Sequence, residues 1–139
     1  MILTDAGPLV ALLDRGESSH ATCVACLGEL TGPMLTTWPA FTEAIYLLGV
    51  AGGWLAQDGL WVLVERGDLE IASQGAPQAE RMRTLMAKYR DRPMDLADAS
   101  LVVLADDRRV RDILTLDRAD FATYRLHRRH SFRLWPRDA

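Results

Sequence analysis

Four acidic residues in this 139-residue chain occupy positions where a lone carboxylate is costly unless it has work to do. Asp5 closes the apolar opening "MILTD", before a segment with no strong helix pattern that would make a cap the obvious role. Asp117 follows the apolar run "ILTL" directly. Glu43 stands alone among the apolar residues of "PAFTEAIYLL", where a buried acid needs a partner. Asp98 falls near the start of "ADASLVVLA". Four carboxylates brought together would repel one another and raise one another's pKa values. A hard divalent cation relieves that conflict: magnesium or manganese takes carboxylate oxygens and keeps waters, one of which can serve as a nucleophile. Phosphodiester hydrolysis is a natural use of such a centre.

Three companions lie close by in sequence. Thr115 and Asp117 are two apart, so at a strand end they share a face and Thr115 can support a metal ligand or water. Asp95 competes with Asp98 for the cap of the helix near residue 99, and Asp120 lies three residues past Asp117. Both can accept protons or hold a water, with local capping as the plainer role.

The elements that must position these groups follow from the apolar pattern. "MILTD", "MLTT" (34–37), "LEIAS" (69–73), "DILTL" (112–116) and "SFRLW" (131–135) read as short strands. Between them, helices are expected from Ser18 or Ser19 to about Leu30, over 39–52, over 54–68, from Pro77 to about 91, and along "MDLADASLVVLADD". Gly52 and Gly53 should break the long apolar stretch, and a turn should cover 117–120. Strands alternating with helices predict a three-layer α/β/α sandwich with a mainly parallel sheet. Ligands in such folds gather beyond the carboxyl ends of the strands. Asp5 and Asp117 would leave the sheet at that end, and Glu43 and Asp98 would start helices there.

Composition bounds the rest. With 49% apolar residues and this length, one domain over 1–139 is expected. No run of eighteen uninterrupted apolar residues occurs and Asp5 comes too early for a signal peptide, so no membrane partner and a cytoplasmic location are expected. Cys23 and Cys26 lack a second soft-ligand pair and read as helix packing. No Walker glycine loop, HExxH or GxSxG motif is present, which disfavours a nucleoside triphosphatase, a zinc protease and a serine hydrolase.

The net charge of −3 is uneven. Residues 1–107 hold 7 Lys or Arg against 15 Asp or Glu, whereas residues 108–133 hold 8 Arg against 3 Asp. Arg108, Arg109, Arg111, Arg118, Arg125, Arg128 and Arg129 are therefore candidate contacts to a phosphate backbone. His127 and His130, in the same segment, read as surface or phosphate-facing groups rather than catalysts. Trp38, Trp54 and Trp61 offer faces on which bases could stack. Trp54 and Trp61 lie seven apart on one helix face, which favours core or dimer packing.

Taken together, "MILTDAGPLVALLD", "TEAIYLL", "PMDLADASLVVLAD" and "ILTLDRADFATYR" resemble a PIN domain, and most of all the bacterial VapC-like ribonuclease toxins, over essentially the whole chain. The resemblance implies an α/β/α sandwich whose acidic pocket uses magnesium or manganese to cut RNA. On it, Asp5, Glu43, Asp98 and Asp117 match the acidic set and Thr115 the small polar residue beside it. It also implies a homodimer and a cognate antitoxin whose carboxyl-terminal segment can occupy the groove. One departure is "RRVRDILTL", where many relatives carry a glycine-containing turn. Two other classes compete: a binding domain whose acids are only caps, and a magnesium-dependent phosphatase or nuclease with another substrate.

Overall fold

The computed structural model describes residues 1–127 and 129–137. Five parallel strands form its central sheet: β1 (Ile2–Thr4), β2 (Met34–Thr37), β3 (Leu69–Ala72), β4 (Asp112–Leu114) and β7 (Arg133–Trp135). Their spatial order is β3-β2-β1-β4-β7. A small antiparallel pair, β5 (Arg125–Leu126) and β6 (His130–Ser131), lies outside it. The inner strands β1 and β2 are buried along their whole length because both faces of the sheet are covered there, as parallel sheets require.

Alternation along each strand divides the core in two. Ile2, Met34 and Leu114 face α1 (Ala6–Leu13), α2 (His20–Glu29) and α3 (Trp38–Glu65). Leu3, Leu35 and Ile113 face α4 (Ala76–Lys88) and α5 (Leu96–Arg108), with Phe121 and Tyr124 completing that layer. This is the α/β/α sandwich. The strand order reverses at β1: β2 and β3 extend to one side, β4 and β7 to the other. The crevice at that switch point opens beyond the carboxyl ends of β1 and β4.

Three local expectations are corrected. Residues 117–120 are no simple turn, since α6 (Arg118–Thr123) begins there. "SFRLW" divides into β6 and β7 around the buried Phe132. Asp5 does cap a helix, because its Oδ1 accepts the Ala6 N–H at 2.8 Å and α1 follows at once.

The glycine pair matters most in α3. Gly53 adopts φ 67° and ψ −157°, a conformation that only glycine takes readily, and the helix doubles back there. The Gln57 side chain then reaches across to donate to the Ile45 carbonyl at 3.0 Å. An 18-residue window of α3 has a mean hydropathy of 1.4, and the 28-residue helix is long enough to cross a bilayer. The fold at Gly53 instead makes it two antiparallel limbs, of which the first lays Phe41, Ala44 and Leu48 on the core.

Candidate active site

Asp5 leaves β1 and is 4% exposed. Its two oxygens are separately held: Oδ1 by the Ala6 N–H, and Oδ2 by the Thr115 hydroxyl, which donates at 3.2 Å. The same Thr115 oxygen accepts the Asp117 N–H at 3.0 Å. Thr115 is fully buried at the end of β4, so one hydroxyl fixes the exits of two neighbouring strands relative to each other.

Asp98 arrives from the other layer. Asp95 caps α5 by accepting the Asp98 N–H on Oδ1 at 2.8 Å, which sets the first turn and turns Asp98 inward. The Asp98 carboxylate, 6% exposed, accepts the Tyr124 hydroxyl on Oδ2 at 2.7 Å. Behind them, Thr37 and Ser100 share a 2.6 Å hydrogen bond that ties the end of β2 to α5.

Asp117 and Glu43 are exposed. Asp117 precedes α6 yet makes no side-chain capping bond, so its oxygens are not used by the helix it starts. Glu43 lies on the solvent side of α3's first limb, partly desolvated at its edge, while Phe41 and Ala44 take the core positions. Asp120 is drawn into an ion pair with Arg92 at 2.9 Å.

These acids feel one another. Burial pushes the Asp5 carboxyl up to about 7, opposed by the Ala6 N–H and reinforced by the charges of Asp117 and Glu43. Burial also raises Asp98, with Asp95 and Asp5 adding repulsion and the Tyr124 hydroxyl opposing it. Glu43 is raised by burial, then by Asp95 and Asp117; Asp117 is raised by burial, then by Asp120 and Asp95. Among the described residues, no Lys or Arg makes an ion pair with Asp5, Glu43, Asp98 or Asp117.

An all-carboxylate set without a cation of its own has the donor chemistry of a magnesium or manganese site. The side chains are not closed around one point, since among the described residues no three His, Cys, Asp or Glu groups stand in reach of a shared ion. The set fits the ion in the chemistry of its donors.

The candidate arginines do not form one surface beside these acids. α5 runs 13 residues, about 20 Å, from Asp98's turn to its far end. Arg108 and Arg109 lie at that far end and Arg111 just before β4, where the chain enters the sheet. Arg108 pairs with Glu70, and the Arg111 guanidinium donates twice to the Ser131 carbonyl. Arg125 wraps onto the carbonyls of Ala122, Thr123 and Tyr124, and Arg129 is exposed beyond β5. Arg128 lies outside the described residues. Arg118, next to Asp117, is the one at the acidic end, and its guanidinium donates to the Pro136 carbonyl. A stretch that is contiguous in sequence thus runs from one end of the sheet to the other.

Tyr124 is the residue that sequence reasoning missed. A phenol among otherwise apolar core positions, ending the helix that Asp117 starts, was its only signal.

The family comparison matches the PIN domain over residues 2–126. Ribonuclease VapC26 of Mycobacterium tuberculosis is 32% identical over 124 residues, covering 89% of this chain and 92% of the relative. Among solved structures, M. tuberculosis VapC20, a Sarcin-Ricin loop cleaving toxin, superposes with a TM-score of 0.75 at 15% identity, over 81% of this chain and 87% of its own. A toxin–antitoxin complex from Klebsiella pneumoniae gives 0.67 at 18% identity, over 88% and 92%. The last two speak to the fold alone. A parallel sheet whose strand order reverses between β1 and β4, with carboxylates at both exits, and a family match spanning nearly the whole chain lead to one conclusion: the chain belongs to the PIN-domain family and is homologous to the VapC ribonuclease toxins.

Proposed function

We propose that this protein is a cytoplasmic, magnesium- or manganese-dependent endoribonuclease and the toxin of a toxin–antitoxin pair. The observation that carries this reading is the set of carboxylates from four elements at one end of the sheet, none of them in an ion pair with a Lys or Arg among the described residues. Asp5, Asp98 and Asp117 would hold the ion, with Glu43 completing the set. The ion, when bound, supplies the acidity that activates water and offsets charge on the phosphate. The chain's own part is positional. Thr115 keeps Asp5 and Asp117 in register, Tyr124 holds Asp98, and Glu43 is free to orient the water and take its proton. In-line attack at phosphorus with departure of the 3′ oxygen leaves 5′-phosphate and 3′-hydroxyl ends.

Protein partners have a surface available in α3. Tyr46, Leu47, Val50, Trp54 and Leu55 are all exposed around the fold at Gly53, a concentration of apolar area that favours a second copy of the chain or an antitoxin helix. Trp54 is 62% exposed here, whereas Trp61 packs its ring against Phe41 with centroids 4.8 Å apart.

The deciding experiment is cleavage of mixed, end-labelled RNAs by purified protein with magnesium or manganese, beside Asp5→Asn and an EDTA control. Cutting by the wild type alone, only with metal, supports the reading. Failure to cut by inhibitor-free protein that also binds no metal overturns it. Parallel DNA and phosphate-ester substrates separate the neighbouring hydrolase classes.

A further inference from the structure

Beside the acidic cluster lies an open cleft of about 560 Å³, lined by Trp38, Pro39, Glu43, Asp95 and Leu96. Trp38 is the first residue of α3, so it stands just past the carboxyl end of β2, where this class of fold receives ligands. The residue is 50% exposed, unusual for a tryptophan, which averages among the more buried residues. It is nonetheless braced: Phe41 meets it edge-on, with centroids 5.6 Å apart and planes at 85°. Leu96, also half exposed at 49%, adds a second apolar surface to the cleft.

Asp95 supplies the polar element. Its Oδ1 accepts the Asp98 N–H, its carboxylate also meets the Asp98 carboxyl, and the side chain lines the cleft beside Trp38. A braced, solvent-facing indole beside a carboxylate acceptor suits a flat ring that carries an amino group. Nucleobases stack on aromatic faces irrespective of sequence, while a carboxylate distinguishes them by accepting from an exocyclic amine, as from cytosine N4.

We propose that Trp38 and Asp95 form a nucleobase subsite next to the cutting centre, with the base stacked on the indole and its amino group donated to Asp95. The subsite favours cytosine, adenine or guanine over uracil, whose O4 would face the carboxylate oxygen. It deepens the ribonuclease reading and rests on it for the identity of the strand that brings the base.

The test has two arms. In the first, a randomised RNA pool is cut with magnesium or manganese by the wild type, Trp38→Ala, Trp38→Phe and Asp95→Asn, and the product ends are sequenced. Asn caps a helix as well as Asp does, so Asp95→Asn preserves the α5 start. Trp38→Ala should raise KM about tenfold, the loss of one stacked base, with kcat within about twofold and the flanking-base preference flattened. Trp38→Phe should retain most of the affinity, and Asp95→Asn, which keeps its oxygen on the Asp98 N–H and turns an NH2 toward the base, should raise KM for the favoured sequence and relax the bias against uracil. In the second arm, no cleavage is needed: the indole N–H signal of Trp38, assigned by its loss in Trp38→Phe, is followed by NMR during titration with cytidine, uridine and argininamide.

A Trp38 signal that shifts more with cytidine than with uridine, the difference disappearing in Asp95→Asn, supports the subsite even if no RNA is cut, in which case the ribonuclease reading alone fails. Metal-dependent cutting with base preference and KM unchanged in Trp38→Ala overturns the subsite and leaves the ribonuclease reading standing. A response to argininamide with none to either nucleoside also overturns it and assigns the cleft to an arginine of a protein partner.

Discussion

The Tyr124 hydroxyl donates to Oδ2 of Asp98 across 2.7 Å, joining a buried phenol at the end of α6 to a carboxylate in the first turn of α5. Burial and the nearby acids push the Tyr124 hydroxyl's pKa well above its ordinary value, so it remains a donor. The bond favours the charged form of Asp98 against the burial and repulsion that disfavour it.

Replacing Tyr124 with Phe keeps the edge-on packing against Phe121 and Tyr89 while removing the donor. The expected loss is about 1–2 kcal/mol in urea denaturation of the metal-free protein. Asp98 then holds its proton more tightly, so manganese affinity by titration calorimetry should fall at pH 6.5 and recover toward the wild-type value at pH 8.5. A deficit of equal size at both pH values would mean that Asp98 does not compete for the ion through its proton.

The metal-free protein should lose stability as pH rises from 5 to 8. The sign follows from Asp5, whose carboxyl stands at about 7 in the folded chain against 3.8 ordinarily. Between those values the folded state keeps a proton that the unfolded state has released, so each step up in pH favours unfolding. Across pH 5 to 8 the contribution of Asp5 alone is at most about 3 kcal/mol. Asp98, Glu43 and Asp117 are raised too and act in the same direction. Asp112 is held low, chiefly by its bond from Arg133, and acts oppositely, but only at acid pH below this window. Thermal unfolding of wild type and Asp5→Asn at pH 5, 6, 7 and 8 checks the argument: the variant should show a shallower decline, and parallel curves would rule out Asp5 as the source.

The strands, the helices between them and the end of the sheet to which Asp5 and Asp117 belong could be read from apolar runs and from the residues that interrupt them. Such local patterns decide which elements exist. Tyr124 was not legible because its role depends on a contact with Asp98 that only the packed layers create. Asp5's part as a cap is not legible in the sequence because the segment after it has no strong helix pattern: "AGPLVALL" carries glycine and proline in its first turn, and α1 is secured by packing on α2 and α3 rather than by its own propensity. The arginines misled for the opposite reason: nearness in sequence over 108–129 does not survive a chain that crosses the sheet along β4.

Metal uptake near pH 7 should release protons, since the ion displaces them from Asp5 and Asp98. Calorimetric titration with magnesium or manganese in two buffers of different ionisation heat measures the number released. Release should be clear at pH 7, smaller at pH 8.5 and reduced in Asp5→Asn. EDTA should reverse the accompanying rise in Tm. Binding without proton release at pH 7 would place the ion away from these two carboxylates.

Two glycines that both have open space around them should respond with opposite signs when changed to alanine. A Cβ built at Gly53 or at Gly28 meets no atom within 4 Å, so neither change produces a clash. Gly28 lies in α2, where alanine lowers the entropy of the unfolded chain and should stabilise by about 0.5–1 kcal/mol. Gly53 holds φ 67° and ψ −157° at the fold of α3, and alanine there should cost about 1–3 kcal/mol from backbone strain alone. Urea midpoints of the two variants measure the contrast directly. Because Val50, Trp54 and Leu55 flank the fold, Gly53→Ala should also weaken whatever protein covers that surface, whereas Gly28→Ala should not. Stabilisation by both substitutions would show that α3 runs on through residue 53 in solution, and the apolar surface would then have a different shape from the one described.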